Sequence, residues 1–288
     1  MLGLAASSAL GWTFFDFSRR RVGESLAAIP AVIAIMIVQA ALCLPFGGWG
    51  ELGSQSSAWY TSALISVLVN TLANILMILA MQRAAFTLVV PLLSLTPAFA
   101  AAAGWIVFGE ALGLRAGAGV FIVVAAALWL GWHGEGRKTS RDERSAMAMM
   151  GLAAVLLAIT PFFDRECTKD GTITLAAYVG SQCLGVALLS LVIASFARSM
   201  RAGFQNVRPQ LKKAWPWVVL AAIAASIGLF FQIKGVLTVS HVGLFEAVKR
   251  SFTMLMSLTL GRFILKEHLT RTKIIAAVIM VGGIFLLA

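Results

Sequence analysis

Ten apolar stretches, each close to the length of a bilayer and parted by short polar loops, restrict what this 288-residue chain can fold into more than any motif does. They lie near residues 1–18, 26–46, 59–81, 84–108, 114–132, 146–163, 173–197, 215–237, 242–264 and 272–288. A helix rising 1.5 Å per residue crosses about 30 Å of hydrocarbon in roughly 20 residues. None of the runs alternates with the period of two expected of a half-buried strand. An open strand would also leave its backbone groups unpaired in lipid. The expectation is an all-α polytopic membrane protein with ten transmembrane helices. Composition agrees, with 60% hydrophobic and 12% charged residues, outside the range of a soluble domain.

The polar stretch 134–145 divides the chain into residues 1–133 and 146–288, five spans each. A net charge of +11 invites a nucleic-acid reading, but the bases sit in loops between spans and form no single stripe, so no nucleic-acid partner is expected. Most Lys and Arg follow odd-numbered spans, beginning with Arg19, Arg20 and Arg21, whereas the even loops hold only Arg115, Arg165 and Lys169. The positive-inside bias then places the odd loops in the cytoplasm and both termini outside. The first run has its charges after it and none before it, so it reads as a span and not as a signal peptide. Cys43, Cys167 and Cys183 lack metal or disulfide spacing and read as packing residues.

The two halves repeat one another. Gly104-Trp105-Ile106-Val107-Phe108-Gly109-Glu110-Ala111-Leu112 returns as Gly261-Arg262-Phe263-Ile264-Leu265-Lys266-Glu267-His268-Leu269, and Phe14-Phe15-Asp16 at the end of span 1 returns as Phe162-Phe163-Asp164 at the end of span 6. Five is odd, so the second copy crosses the membrane in the opposite sense. Two such halves can exchange conformations around a midplane site, which is the basis of alternating access.

Trp12, the run Thr96-Pro97-Ala98-Phe99 leading to Gly104-Trp105 and Gly109-Glu110, and Ala247-Val248-Lys249-Arg250-Ser251 leading to Gly261 and Glu267 give the chain its family likeness. On these residues it resembles the drug/metabolite transporter superfamily, in particular its EamA-like ten-helix members. The resemblance implies that spans 1–4 and 6–9 surround a cavity, that spans 5 and 10 pack outside, in some members at a homodimer contact, and that Trp12 lines the cavity. It implies both termini in the cytoplasm, opposite to the charge placement. Members are associated with amino acids, sugars, nucleotide-linked metabolites and drugs, so the family implies a mechanism and no particular cargo.

A charge at the centre of a span costs roughly 2.5–3.5 kcal/mol and is seldom found without a partner or water. Glu246, Lys249 and Arg250 share one face of span 9 at spacings of three and four. A short turn near Val239 and Ser240 makes span 8 its antiparallel neighbour, which brings Lys234 to the depth of Glu246. Four charges would converge, three of them positive, and an anionic group would complete them. Their repeat equivalents, Val89, Leu92, Leu93 and Met77, are uncharged, which favours specialisation over architecture. The competing readings are that Lys234 snorkels to the interface and that Glu246 merely neutralises its neighbours.

Asn70, Asn74, Gln39, Tyr178, Gln182 and Gln232 are uncharged polar residues within spans. They either complete a site or join helices by hydrogen bonds averaging about 0.6 kcal/mol. Pro91 and Pro97 each remove a backbone donor from span 4 and can bend it. Glu110 and Glu267 precede the next helix, where the dipole favours a carboxylate. Asp16 and Asp164 read as structural acids at the ends of their spans.

An enzyme would need convergent nucleophile, base or metal groups at depth, yet His133, His241 and His268 fall in loops or at span ends. The chain has no zincin helix, nucleophile elbow, phosphate-binding glycine loop or paired-cysteine motif, so no catalysis, metal or cofactor is expected. The expected function is a secondary active transporter in the plasma (inner) membrane. It would move a small anionic or zwitterionic metabolite, an amino acid among the candidates, with the substrate and the lipid bilayer as its partners. The alternative is a flippase for a phosphate-bearing lipid-linked substrate.

Overall fold

The computed structural model describes residues 2–108, 113–133, 140–196, 203–238 and 242–287, and no strand occurs among them. The helices are α1 (Leu2–Gly23), α2 (Ala28–Cys43), α3 (Ser57–Arg83), α4 (Phe86–Val89), α5 (Leu95–Phe108), α6 (Leu114–His133), α7 (Arg141–Thr168), α8 (Leu175–Phe196), α9 (Val207–Thr238), α10 (Val242–Phe263) and α11 (Arg271–Leu287). They occupy all ten apolar runs, with α4 and α5 sharing the fourth. Ala28–Phe46, α3, α7, α8 and α9 are each long and apolar enough to cross a bilayer by themselves. Leu64, Leu68 and Leu72 on α3 and Leu184, Leu188 and Leu191 on α8 recur at helical spacing and stay exposed, as side chains facing lipid would. The chain is an all-α polytopic membrane protein.

Local chemistry sets the helix ends. Ser56 accepts from the Trp59 amide at the start of α3, at 3.2 Å. At the start of α7, Ser140 and Glu143 form a reciprocal capping box. That box draws Arg141–Ser145 into the helix, so part of the polar linker expected from the sequence is the first turn of α7. Span 4 is broken. Between α4 and α5 lies a five-residue 3-10 segment, Val90–Ser94, with Pro91 in its first turn, while Pro97 sits harmlessly in the first turn of α5.

Helix pairing follows the repeat. Span 1 packs on span 8 and span 3 on span 6, while spans 2 and 7, 4 and 9, and 5 and 10 pack on each other. Exchanging the halves leaves this pairing unchanged. The span 1–8 crossing is close because both helices place glycine there: a Cβ on Gly11 would overlap the backbone of Gly228. Ser8 Oγ fastens it by donating to the Gly228 carbonyl at 2.8 Å.

α1 runs past the predicted end of span 1 to Gly23, which carries Asp16 and Arg19 into the bundle at 2% exposure each. Lys273, counted among the bases that follow span 9, is likewise 2% exposed, with Nζ on Thr87 Oγ1 and the His268 carbonyl, both at 3.1 Å. The basic excess after odd spans therefore includes two residues that lie inside the protein.

Candidate functional site: a charged cavity between the halves

A cavity of ≈ 110 Å³ lies between the two halves, walled by α1, α2, α3, α7, α8, α9 and α10. At about 10–15 Å³ per enclosed water, this is room for several waters or a small metabolite. Among the described residues the broken span 4 contributes none to the lining, contrary to the expectation that spans 1–4 and 6–9 would all surround it.

On the α10 side, Lys249 Nζ donates to Glu246 Oε1 at 2.6 Å and to Gln232 Oε1 of α9 at 2.7 Å. Glu246 and Lys249 are 1% and 2% exposed. Their three-residue spacing brings them together on one helical face, as the sequence indicates. Arg250, one position further round, lines the cavity without any hydrogen bond or ion pair among the described residues, and its Nε is buried without a partner.

Opposite stands a polar chain that runs from Asp16 and Arg19, read from the sequence as lying at the end of span 1, through residues within span 3 to Asp164, read as closing span 6. Arg19 pairs with Asp16 and donates Nη1 to Asn74 Oδ1 at 2.9 Å. Asn74 Nδ2 reaches the Asn70 carbonyl at 2.8 Å, and Asn70 Nδ2 reaches Ser66 Oγ at 3.2 Å. Ser66 Oγ and Tyr178 Oη both donate to Asp164 Oδ1, at 2.9 and 2.6 Å. The repeat-related acids Asp16 and Asp164 thus face one cavity from α1 and α7. Their double appearance after Phe-Phe was the visible signal of a shared role.

Of the residues expected at the site, Lys249, Arg250, Glu246, Asn70, Asn74, Trp12, Tyr178 and Gln232 all line this cavity, as do Gln39 and Gln182. Lys234 does not. It is exposed, with Nζ 4.5 Å from the centroid of the Phe230 ring on its own helix, because its position on α9 turns it away from the face that carries Gln232. With Lys234 absent and Asp16, Arg19 and Asp164 present, the cavity holds three acids and three bases, not the expected excess of two positive charges. Buried polar atoms without partners gather here: Trp12 Nε1, Arg19 Nε, Gln182 Oε1 and Arg250 Nε all belong to lining residues. Such atoms are rare in a finished interior, and a polar ligand or water in the cavity would satisfy these four.

Pro161 breaks the hydrogen-bond ladder of α7 beside the cavity, which frees the Leu157 carbonyl one turn back. Glu267 has a role other than the one its sequence position implies. Its carboxylate accepts from the Phe86 and Thr87 amides at 2.8 and 2.7 Å, so it holds the start of the broken span 4 in the other half. Glu110 lies outside the described residues.

No curated protein matches the chain in sequence. One solved crystal structure of a protein superposes on 98% of this chain and 94% of its own with a TM-score of 0.65 at 15% identity, which extends a known fold over both halves. Residues 1–132 match the EamA-like transporter family. The first five spans are thus EamA-like, consistent with the drug/metabolite transporter superfamily, and that match supports a membrane transporter of small molecules.

Proposed function

We propose that the chain is a secondary active transporter that carries a small anionic or zwitterionic metabolite, such as an amino acid, across the plasma (inner) membrane by alternating access. The observation that carries this reading is the guanidinium of Arg250, which lines the cavity outside any hydrogen bond or ion pair among the described residues, with its Nε buried and unpartnered. An unpaired cation in a low-dielectric cavity is costly, and a carboxylate or phosphate would satisfy it bidentately. Lys249, already held by Glu246 and Gln232, adds a second positive centre on the same helix. The halves, each a similar five-span unit, supply the moving parts. Equal numbers of acids and bases favour a zwitterion over a lipid-linked phosphate, which would bring surplus negative charge.

Saturable uptake by purified protein in liposomes tests this. Arg250→Ala is expected to lower uptake efficiency at least tenfold and Lys249→Ala at least threefold. Unchanged uptake in both would remove the site. Stronger competition by lipid phosphates than by soluble zwitterions would favour the flippase.

A further inference from the structure

The repeat-related acids differ in one respect. Asp16 is neutralised by Arg19, but Asp164 receives only the neutral hydroxyls of Tyr178 and Ser66, and both bind the same oxygen, Oδ1. Oδ2 has no hydrogen-bond donor, and no base lies within ion-pair distance of Asp164 among the described residues. The side chain is 7% exposed and lines the cavity. Two of the three bases there are closed by an acid, Arg19 by Asp16 and Lys249 by Glu246. One base and one acid are left outside an ion pair among the described residues, Arg250 and Asp164.

We propose that Asp164 is the residue that selects for a primary ammonium group, so that the cavity recognises substrates by two charges of opposite sign. This rests on the transporter reading above and assigns its substrate class. Tyr178 and Ser66 hold Oδ1, which leaves Oδ2 as the acceptor for a ligand in the cavity that Asp164 lines. Arg250 takes the acidic end of the same molecule. An anion without an amine leaves Asp164 buried and unmatched, and an amine without an acid leaves Arg250 so. Each is rejected because the site's own charged group then stays unpaired.

The probes are L-leucine and L-phenylalanine, each with its 2-hydroxy acid, which lacks the ammonium, and its decarboxylated amine, which lacks the carboxylate. Dissociation constants are measured by titration calorimetry on the purified full chain. Wild type is expected to bind at least one amino acid tenfold or more tighter than its hydroxy acid. Asp164→Asn is expected to bring that ratio below threefold, whereas Arg250→Gln collapses the preference over the amine instead. A merely structural role for Asp164 would weaken both ligands together and leave the ratio unchanged, which overturns the proposal. A wild type that shows no preference for the ammonium also overturns it, and decides the matter even if Asp164→Asn fails to fold. Saturable uptake of simple anions with no such preference would sink this inference alone. Absence of any saturable uptake would sink the transporter reading with it.

Discussion

Three ion pairs could in principle form among the six charged groups at the cavity, and only two do. Both pairs are buried, and in the Asp16–Arg19 pair Arg19 also binds Asn74 and lies 4.5 Å from the Phe15 ring centroid. Removing one partner strands the other in a medium that solvates charge poorly, a cost of about 3–5 kcal/mol. Asp16→Ala and Arg19→Ala are each expected to lower the unfolding midpoint in detergent markedly, and the double variant by less than the two losses added. An additive result would mean that the two residues do not stabilise one another. Lys234 provides the contrast. Its contact with Phe230 is worth about 0.5–1 kcal/mol at an exposed position. Lys234→Ala is therefore expected to leave uptake within twofold of wild type, and a larger fall would restore it to the site.

Span 4 depends on a side chain from the other half of the sequence. Glu267 bonds two amides at the start of α4, a helix of four residues that leads straight into a 3-10 segment. Glu267→Ala leaves both donors unmatched at about 1–3 kcal/mol each, whereas Glu267→Gln keeps an acceptor and costs less. Hydrogen exchange over residues 86–94 is expected to quicken in the order wild type, Gln, Ala, and an unchanged rate in Ala would deny the clasp. This partnership was not legible in the sequence, because it joins residues far apart in the chain. What was legible had a local cause: the apolar runs gave the helices, and the three-residue spacing of Glu246 and Lys249 gave their pair. Arg19 was misplaced because an arginine after apolar residues reads as an interface. Only Asp16 and Asn74, one of them on another helix, make its burial tolerable. Lys234 was misplaced by the rotation of α9, which its depth along the helix does not reveal. The broken helix was hinted at by Pro91, but prolines alone do not separate a bend from an interruption.

The pairing of spans, unchanged when the halves are exchanged, is what a two-fold axis between oppositely threaded units produces. Divergence laid over that symmetry supplies chemistry: α10 carries Glu246, Lys249 and Arg250 where span 4 is apolar and broken, and Asp164 stays open where Asp16 is paired. On the proposed mechanism, symmetry of the frame would allow two states of similar energy, and asymmetry of the lining would let one substrate bias them. The frame makes a prediction of its own. If the units run in contrary senses, the exposed positions Ala27, after span 1, and Asp170, after span 6, lie on opposite faces of the membrane. Native Cys43, Cys167 and Cys183 are buried, so a cysteine introduced at either position stands out against a low background. An impermeant thiol reagent applied to intact cells is expected to label Asp170→Cys and spare Ala27→Cys, the order set by the basic residues that follow span 1. Labelling of Ala27→Cys alone would keep the inversion and reverse the orientation. Labelling of both from one side would mean that the halves are parallel, and exchange between mirrored conformations could not then drive transport.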